Sequence, residues 1–155
     1  MLESFFQWMS DSSMSTFING SNWLYAVIQA FHLVALAVFF GAVLVVDLRL
    51  LGRGFTQQPL AQVARDAQPW FIWALIALIL TGIPQLVSGA TKEYNSPLFW
   101  RKMDFLLAAI VFSFTIRRKV VMTPESRVGH FWEVGLISIV LWLGVAIPAR
   151  LIGLF

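Results

Sequence analysis

The chain contains no cysteine, only two histidines and few charged residues, and each of these shortages excludes a class of protein. Without cysteine it forms no disulfide, iron–sulfur cluster, thiolate metal site or cysteine nucleophile. Two histidines are too few for a metal site made of several histidines. Charged residues are 12% of the 155 residues and hydrophobic residues 59%, whereas soluble domains contain about 25% charged residues. This composition indicates an integral membrane protein and excludes a soluble enzyme with an added anchor.

Four apolar segments divide the chain, and each is long enough for a transmembrane helix of about 20 residues. Ser21 is the expected N-cap of the first helix. Ser96-Pro97 and Thr123-Pro124-Glu125 place a cap and then a proline at the start of the third and fourth helices. The predicted fold class is all-α, an integral membrane four-helix bundle in residues 21–155. Its spans are expected at about 22–46, 69–88, 97–116 and 128–152.

Residues 1–20 form a separate N-terminal segment. Leu2, Phe5, Phe6 and Met9 recur at helical spacing among polar residues, which predicts a short amphipathic helix lying in the membrane interface. A disordered tail is the alternative. The first positive charge of the chain is Arg49, so the positive region that a signal peptide needs is missing, and the first span is expected to be retained.

The lysines and arginines between the spans predict the orientation, because cytoplasmic loops carry an excess of them. Seven lie in the connections after the first and third spans, and four lie on the other side. Both termini are therefore expected outside, in the periplasm. The seven are Arg49, Arg53, Arg65, Arg117, Arg118, Lys119 and Arg127, and the four are Lys92, Arg101, Lys102 and Arg150.

Polar residues of all four helices are expected to meet in the outer half of the bundle. His32 lies 11 residues after Ser21, which is about 16 Å along a helix. Tyr25 and Gln29 share its face by their i, i+4, i+7 spacing. The second, third and fourth helices contribute further polar groups at about the same end, namely Thr81, Gln85, Ser88, Lys102 and Arg150.

A histidine in such a cluster suggests an axial ligand of haem, because neutral imidazole binds iron. Lys102, Arg101 or Arg150 would then neutralise the propionates. The alternative is that His32 is hydrogen-bonded to a hydroxyl or to backbone and simply joins two helices. His130 is not expected to be the second ligand, because it lies near the other end of the bundle, about 15 Å away in depth.

Other ligands and partners have weaker support. Met103 lies near His32 in depth, but the chain has no Met-rich or His-rich run that would suggest a copper site. The basic residues are separated by apolar segments, so no nucleic acid is expected as a partner. The lipid bilayer is the expected partner, together with other membrane subunits or a second copy of the chain.

Several segments of the chain carry a family resemblance. They are His32-Leu-Val-Ala-Leu-Ala-Val-Phe-Phe-Gly41, Asp47-Leu-Arg-Leu-Leu-Gly52, Asn95-Ser-Pro-Leu-Phe-Trp-Arg-Lys-Met103, Leu141-Trp-Leu-Gly-Val and Ala149-Arg150-Leu-Ile-Gly153. These segments resemble a bacterial family of uncharacterised four-helix membrane proteins. More remotely, the layout resembles the copper-resistance D proteins and the J-type protoporphyrinogen oxidase, the latter a four-helix haem-b membrane protein. The resemblance to the oxidase implies that a first-helix histidine and a third-helix lysine form the functional pair, and His32 and Lys102 are the matching positions.

Together these features predict a haem-b-binding redox protein of the bacterial inner membrane, active in electron transfer or in oxidation of a porphyrin or quinol-type substrate. His32 is the expected axial ligand, Lys102 a second ligand or charge partner, and Arg150 a propionate partner. Tyr25, Gln29 and Gln85 are expected to complete the site. The alternatives are a cofactor-free structural or accessory subunit that packs through small residues, and a protein for copper or small-solute passage. The small residues are Ala37, Gly41, Gly135, Ser138 and Gly144.

Overall fold

The computed structural model describes residues 1–124 and 129–152 of the chain. Within these ranges all regular secondary structure is helical, and one π-helical turn interrupts the later part of the chain. The helices are α1 (Leu2–Ser10), α2 (Ser13–Asn19), α3 (Leu24–Leu50), α4 (Leu60–Ser88), α5 (Ala90–Tyr94), α6 (Pro97–Phe112), the π-helical turn (Ser113–Arg117), α7 (Arg118–Met122) and α8 (Phe131–Ile152).

Three of these helices are long and apolar enough to cross a membrane. They are α3 with 27 residues, α4 with 29 and α8 with 22. A 20-residue helix is about 30 Å long, which equals the thickness of the hydrocarbon core. The chain is therefore a multi-pass membrane protein in contact with the lipid bilayer. The third predicted span differs from the others, because α6 is only 16 residues long and continues through the π-helical turn into α7.

One predicted helix cap is wrong and one is confirmed. Ser21 does not cap α3, whose N-cap is Trp23, because the Ser21 N–H donates to the Ile18 carbonyl and so completes the turn after α2. The second predicted span, from about Pro69 to Ser88, lies within α4, which begins earlier, at Leu60, and continues through this proline. Ser96 is the N-cap of α6 and Pro97 occupies its first turn, as predicted.

The start of the fourth helix is described only in part. Residues 125–128 lie outside the described ranges, and with them Glu125 of the predicted cap and the predicted first residue of the span. The described helix, α8, begins at Phe131 and ends at Ile152. Residues 153–155 also lie outside the described ranges.

The N-terminal segment contains two helices where one was predicted. Ser12 separates them, because its Oγ accepts a hydrogen bond from the Ser15 N–H at 3.3 Å and so caps α2. The Phe6 side chain is buried, and its ring lies 5.1 Å from that of Tyr94 and 6.1 Å from that of Phe99. Local helix formation is thus confirmed, and α1 is anchored on the bundle through α5 and α6.

The bundle consists of two helix pairs. Helix α3 packs along α4, α6 packs along α8, and the contact between α3 and α8 joins the pairs, whereas α4 and α6 have almost no direct contact. Asp47 near the end of α3 contacts Ser138 near the start of α8, so these helices are antiparallel. We call this end of the bundle the Asp47 end and the opposite end the His32 end.

Apolar residues fill the bundle in two clusters, and a third attaches α1 at the His32 end. In lipid, apolar side chains gain little from the hydrophobic effect between helices, so close packing and hydrogen bonds decide which faces meet. Close packing is evident where the Phe39 ring lies 4.7 Å from that of Trp142. The buried residues are Val46, Leu50, Leu60, Val63, Ala67, Phe112, Val121 and Val134 at the Asp47 end, Phe39, Ala42, Val43, Phe71, Ala74, Ala109 and Trp142 in the middle, and Phe6, Ala90 and Phe99 around α1.

Candidate functional site

His32 is held by a hydrogen bond that determines which ring nitrogen remains available. Its Nδ1 lies 2.7 Å from the Thr81 Oγ1, and this hydroxyl donates its own proton to the Ala77 carbonyl, also at 2.7 Å. Because a hydroxyl has only one proton to give, the Nδ1–H of a neutral His32 donates to Thr81. The lone pair of Nε2 is then free to bind a ligand.

The surroundings of Nε2 are open. His32 is half-buried, and Nε2 has no hydrogen-bond partner in the part of the chain that the structure describes. Gly82 lies beside the ring, where an added Cβ would be 3.6 Å from the His32 Cε1. Since glycine has no side chain, the space of a methyl group remains beside the imidazole.

Thr81 belongs to a hydrogen-bonded series along α4. The Gln85 amide donates to the Thr81 carbonyl at 3.2 Å, and the Ser88 hydroxyl donates to the Gln85 carbonyl at 2.9 Å. All three side chains are half-buried, so the predicted polar face of this helix is confirmed. This bond uses one N–H of the Gln85 amide, so its oxygen and its second N–H remain for a ligand.

The predicted polar face of α3 is only partly directed into the bundle. Gln29 and His32 are half-buried, whereas Tyr25 is exposed over 43% of its surface. Helix α3 begins at Leu24, so Tyr25 lies in its first turn, above the packed part of the bundle. The expectation that Tyr25 faces inward with the other two is therefore wrong.

Lys102 is the cation that the structure brings near His32. It is half-buried in α6, and its charge acts on both His32 and Glu93. Arg150, near the end of α8, and Arg101 are exposed. Neither arginine has an ion-pair partner among residues 1–124 and 129–152. The site therefore draws on α3 and α4, which are joined by the His32–Thr81 hydrogen bond, and on the charge of Lys102 from α6, whereas α8 contributes only a surface cation.

Glu93 is a member of this site that the sequence did not indicate. It lies in α5 and is half-buried, and its Oε2 is buried without a hydrogen-bond partner in residues 1–124 and 129–152. Burial raises the pKa of the Glu93 carboxyl above its ordinary value of 4.5, and the charges of Lys102 and Lys92 oppose this shift. The segment from Gly89 to Tyr94 is polar and short, so no periodic pattern points to a buried carboxyl there.

This carboxyl predicts a pH dependence of stability. Because the folded-state pKa is raised, protonation stabilises the fold, and this stabilisation is lost as the pH rises through the raised pKa. We expect the melting temperature of the wild type to rise from about pH 7 to about pH 5 relative to that of Glu93→Gln. Thermal unfolding in detergent measures it. Glu3→Gln, at an exposed position, controls for the loss of one negative charge, and equal pH profiles of wild type and Glu93→Gln would contradict the prediction.

A second polar cluster lies at the Asp47 end. Asp47 is fully buried; its Oδ1 accepts from the Arg117 Nε at 3.0 Å, and its Oδ2 accepts from the Ser138 hydroxyl at 2.8 Å. The Arg117 Nη2 donates in addition to the Val43 carbonyl at 3.2 Å. Three helical elements therefore meet at one carboxylate, which is paired and hydrogen-bonded as a buried charge in a membrane has to be.

The π-helical turn carries Arg117 at its last position. A π turn adds one residue to a helical turn, so it rotates the following side chains around the helix. Arg117 was expected in a connection between spans, and this is corrected by the structure, which buries it together with Asp47. The one feature of the sequence that indicates this buried pair is an aspartate at the end of a long apolar run.

The two histidines lie at opposite ends of the bundle. His130 directly precedes α8 at the Asp47 end and is exposed. His32 is 18 residues from the end of α3 at Leu50, which is about 27 Å along the helix. In the described part of the chain, no group of three or more histidine, aspartate or glutamate side chains is placed to hold a metal ion.

Comparison with known proteins identifies the family of this chain. No curated protein and no solved structure matches the chain. A family model described as a family of unknown function (DUF6644) matches residues 5–155, which is nearly the whole chain including both polar clusters. The chain therefore belongs to the DUF6644 family, a family of unknown function.

Proposed function

We propose that the chain is a haem-b-binding redox protein, with His32 as the axial ligand. The observation that carries this proposal is the Thr81 hydrogen bond, which holds the imidazole through Nδ1 and leaves Nε2 free. Metal-ligating histidines nearly always donate their other N–H in this way, because the bond orients the ring and raises its basicity. The remote resemblance to four-helix haem proteins agrees with this role.

The residues present fit haem better than a bare metal ion. A porphyrin supplies four nitrogen ligands itself, so one protein histidine is enough to bind its iron. A copper or zinc ion would need three or four protein ligands, and the described residues offer no such group near His32. Haem b, when bound, would supply one-electron redox chemistry, and the protein residues would orient and shield it.

Lys102 and Arg150 have distinct roles in this proposal. Lys102 is half-buried, has no hydrogen bond or ion pair within the described ranges, and acts on His32 through its charge, so it serves as the second ligand or as a charge partner. Arg150 is exposed at the end of α8, where an arginine pairs with a propionate at the membrane surface. Gln29 and Gln85 would line the same side of the bundle.

The proposed setting is the bacterial inner membrane, with both termini in the periplasm and the helical run Pro97–Met122 as a fourth span. Arg49, Arg118 and Lys119 at the Asp47 end support this orientation, because cytoplasmic surfaces are rich in such residues. The haem site would then lie in the outer half of the membrane. Electron transfer, or oxidation of a porphyrin or quinol-type substrate, is the proposed reaction.

The experiment is a reduced-minus-oxidised absorption spectrum of the purified protein, combined with haem quantitation as the pyridine haemochrome. We expect about one b-type haem per chain in the wild type, and loss of the haem in His32→Ala. His130→Ala is the matched control, since that histidine lies at the opposite end of the bundle and is exposed. Haem loss in the control with retention in His32→Ala would overturn the site.

Thr81→Val tests the hydrogen bond to His32 on which the proposal rests. Valine keeps the shape of threonine but cannot accept the hydrogen bond from Nδ1. Loss of such an orienting bond typically weakens binding about 10- to 100-fold, so we expect a higher haem dissociation constant with the same type of spectrum. An unchanged constant would mean that the bond does not orient a ligand.

The rival function is a structural or accessory subunit without a cofactor. Gly135, Ser138 and Gly144 pack inside the chain, but Ala37 and Gly41 on α3 are exposed and leave room for a partner helix. A wild type that is colourless after expression with ample haem and co-purifies with other membrane proteins would support this function instead.

A further inference from the structure

A cavity of about 60 Å³ lies at the Asp47 end, between α4 and the segment that follows α6. Helix α4 forms one wall, and the π-helical turn with α7 forms the other. One water molecule needs only about 10 to 15 Å³ of such space, so the cavity admits a larger group. Its polar lining consists of Gln68, Ser113, Arg117 and Arg118.

The hydroxyl of Ser113 indicates that this cavity binds a ligand. Ser113 is 6% exposed, and its Oγ is buried without a hydrogen-bond partner among the described residues. An unpartnered buried hydroxyl is destabilising, and native proteins seldom keep one without a reason. A ligand oxygen in the cavity would supply the missing partner.

Two guanidinium groups give the cavity its charge. Arg117 uses Nε and Nη2 for Asp47 and the Val43 carbonyl, so its Nη1 remains. Arg118 lines the cavity and is exposed, and it has no hydrogen bond or ion pair among residues 1–124 and 129–152. Since Asp47 balances Arg117, the charge of Arg118 is the one without a counter-ion. Arginine favours phosphate because its planar donors match two oxygens at once.

The remaining walls are apolar. The lining on α4 includes Ala64, Ala67, Phe71 and Ile72, and Phe114 faces them from the π-helical turn. Ile72, Phe114 and Met122 of the lining are exposed, so this apolar wall continues to the outer surface of the helices. A ligand that matches both the basic and the apolar lining of the cavity has an anionic head and an apolar tail.

We propose that this cavity binds the phosphate of an anionic phospholipid, with an acyl chain along its apolar wall on α4 and the π-helical turn. The charge of the cavity selects an anion, and its apolar wall selects a lipid over a soluble phosphate. Basic pockets between transmembrane helices are a common way to bind acidic headgroups. The proposal does not depend on haem at the His32 end.

The experiment uses the full chain in a mild neutral detergent. Its melting temperature is titrated with phosphatidylglycerol, with phosphatidylcholine of the same chains, and with inorganic phosphate. The variants are Arg118→Gln and Lys119→Gln. Lys119 is the neighbouring exposed cation and does not line the cavity, so both variants lose the same charge but only one loses a cavity group.

We expect phosphatidylglycerol to stabilise the wild type and phosphatidylcholine to have little effect. Arg118→Gln should weaken the apparent affinity about tenfold, the size typical of one charge-assisted hydrogen bond, and Lys119→Gln should leave it nearly unchanged. Equal responses to the two lipids, or equal losses in the two variants, would overturn the proposal. Equal stabilisation by inorganic phosphate alone would overturn the lipid assignment.

Ser113→Ala separates ligand binding from general stability. Without anionic lipid this variant should be as stable as the wild type or slightly more stable, because it removes an unpartnered hydroxyl. With phosphatidylglycerol it should gain less than the wild type. A variant that is destabilised equally in both conditions would show that the hydroxyl has a purely structural role.

Discussion

Asp47→Ala is expected to destabilise the protein by about 3 to 5 kcal/mol, the usual cost of leaving one member of a buried ion pair without its partner. The carboxylate is fully buried and accepts hydrogen bonds from Arg117 and Ser138. Without it, the guanidinium keeps only the Val43 carbonyl. Unfolding in detergent with increasing denaturant measures the change.

The double variant Asp47→Ala/Arg117→Met is the decisive control. Replacing a complete buried ion pair by apolar residues is often neutral or stabilising, so the double variant should recover most of the loss. Ser138→Ala alone should cost less, about 1 to 3 kcal/mol, since the carboxylate keeps its charged partner. A double variant as unstable as Asp47→Ala would mean that Asp47 acts through packing and not through its charge.

Gly144→Ala is expected to cost about 1 to 3 kcal/mol, the usual penalty for overpacking. A Cβ at this position would lie 2.6 Å from the Phe105 Cε1 and 2.8 Å from its Cγ. The ring therefore has to rotate or α6 has to move away from α8. Because packing replaces the hydrophobic effect as the force between helices in lipid, such a displacement directly lowers the stability of the bundle.

Gly41→Ala is the matched control for that substitution. Nothing lies within 4 Å of a Cβ at Gly41, and alanine is the better helix former by up to about 1 kcal/mol. This variant should be neutral or slightly stabilised. Phe105→Leu should also restore part of the stability of Gly144→Ala, and the absence of any rescue would contradict the proposed clash.

The sequence predicts helices well because apolar runs and caps are local signals. Ser96 and Pro97 mark the start of α6 correctly. Helix α4, by contrast, begins well before its apolar run, because hydropathy indicates which residues lie in lipid and not which backbone groups are hydrogen-bonded. The polar first part of α4, with Gln62 and Arg65, was for that reason assigned to a loop.

The candidate sites depend on contacts between distant parts of the chain, which local patterns do not contain. Arg117 pairs with Asp47 across 70 positions, and its direction depends on a π-helical turn that no periodicity indicates. The partner of His32 was easier to anticipate, since Thr81 lies on a predicted polar face at the same end. The hydrogen bond from His32 to Thr81, which leaves Nε2 free, can be identified only from the distance between the two side chains.

The position of the cavity at Arg118 determines how a ligand reaches it. Three of its lining residues, Ile72, Phe114 and Met122, are exposed, so the cavity opens on the outer surface of the helices and a phospholipid would arrive by lateral diffusion within one leaflet. Its occupancy would follow the mole fraction of that lipid in the membrane and not an aqueous concentration. The composition of one leaflet would thereby set the occupancy of a site that is lined by Arg117 of the Asp47–Arg117 ion pair.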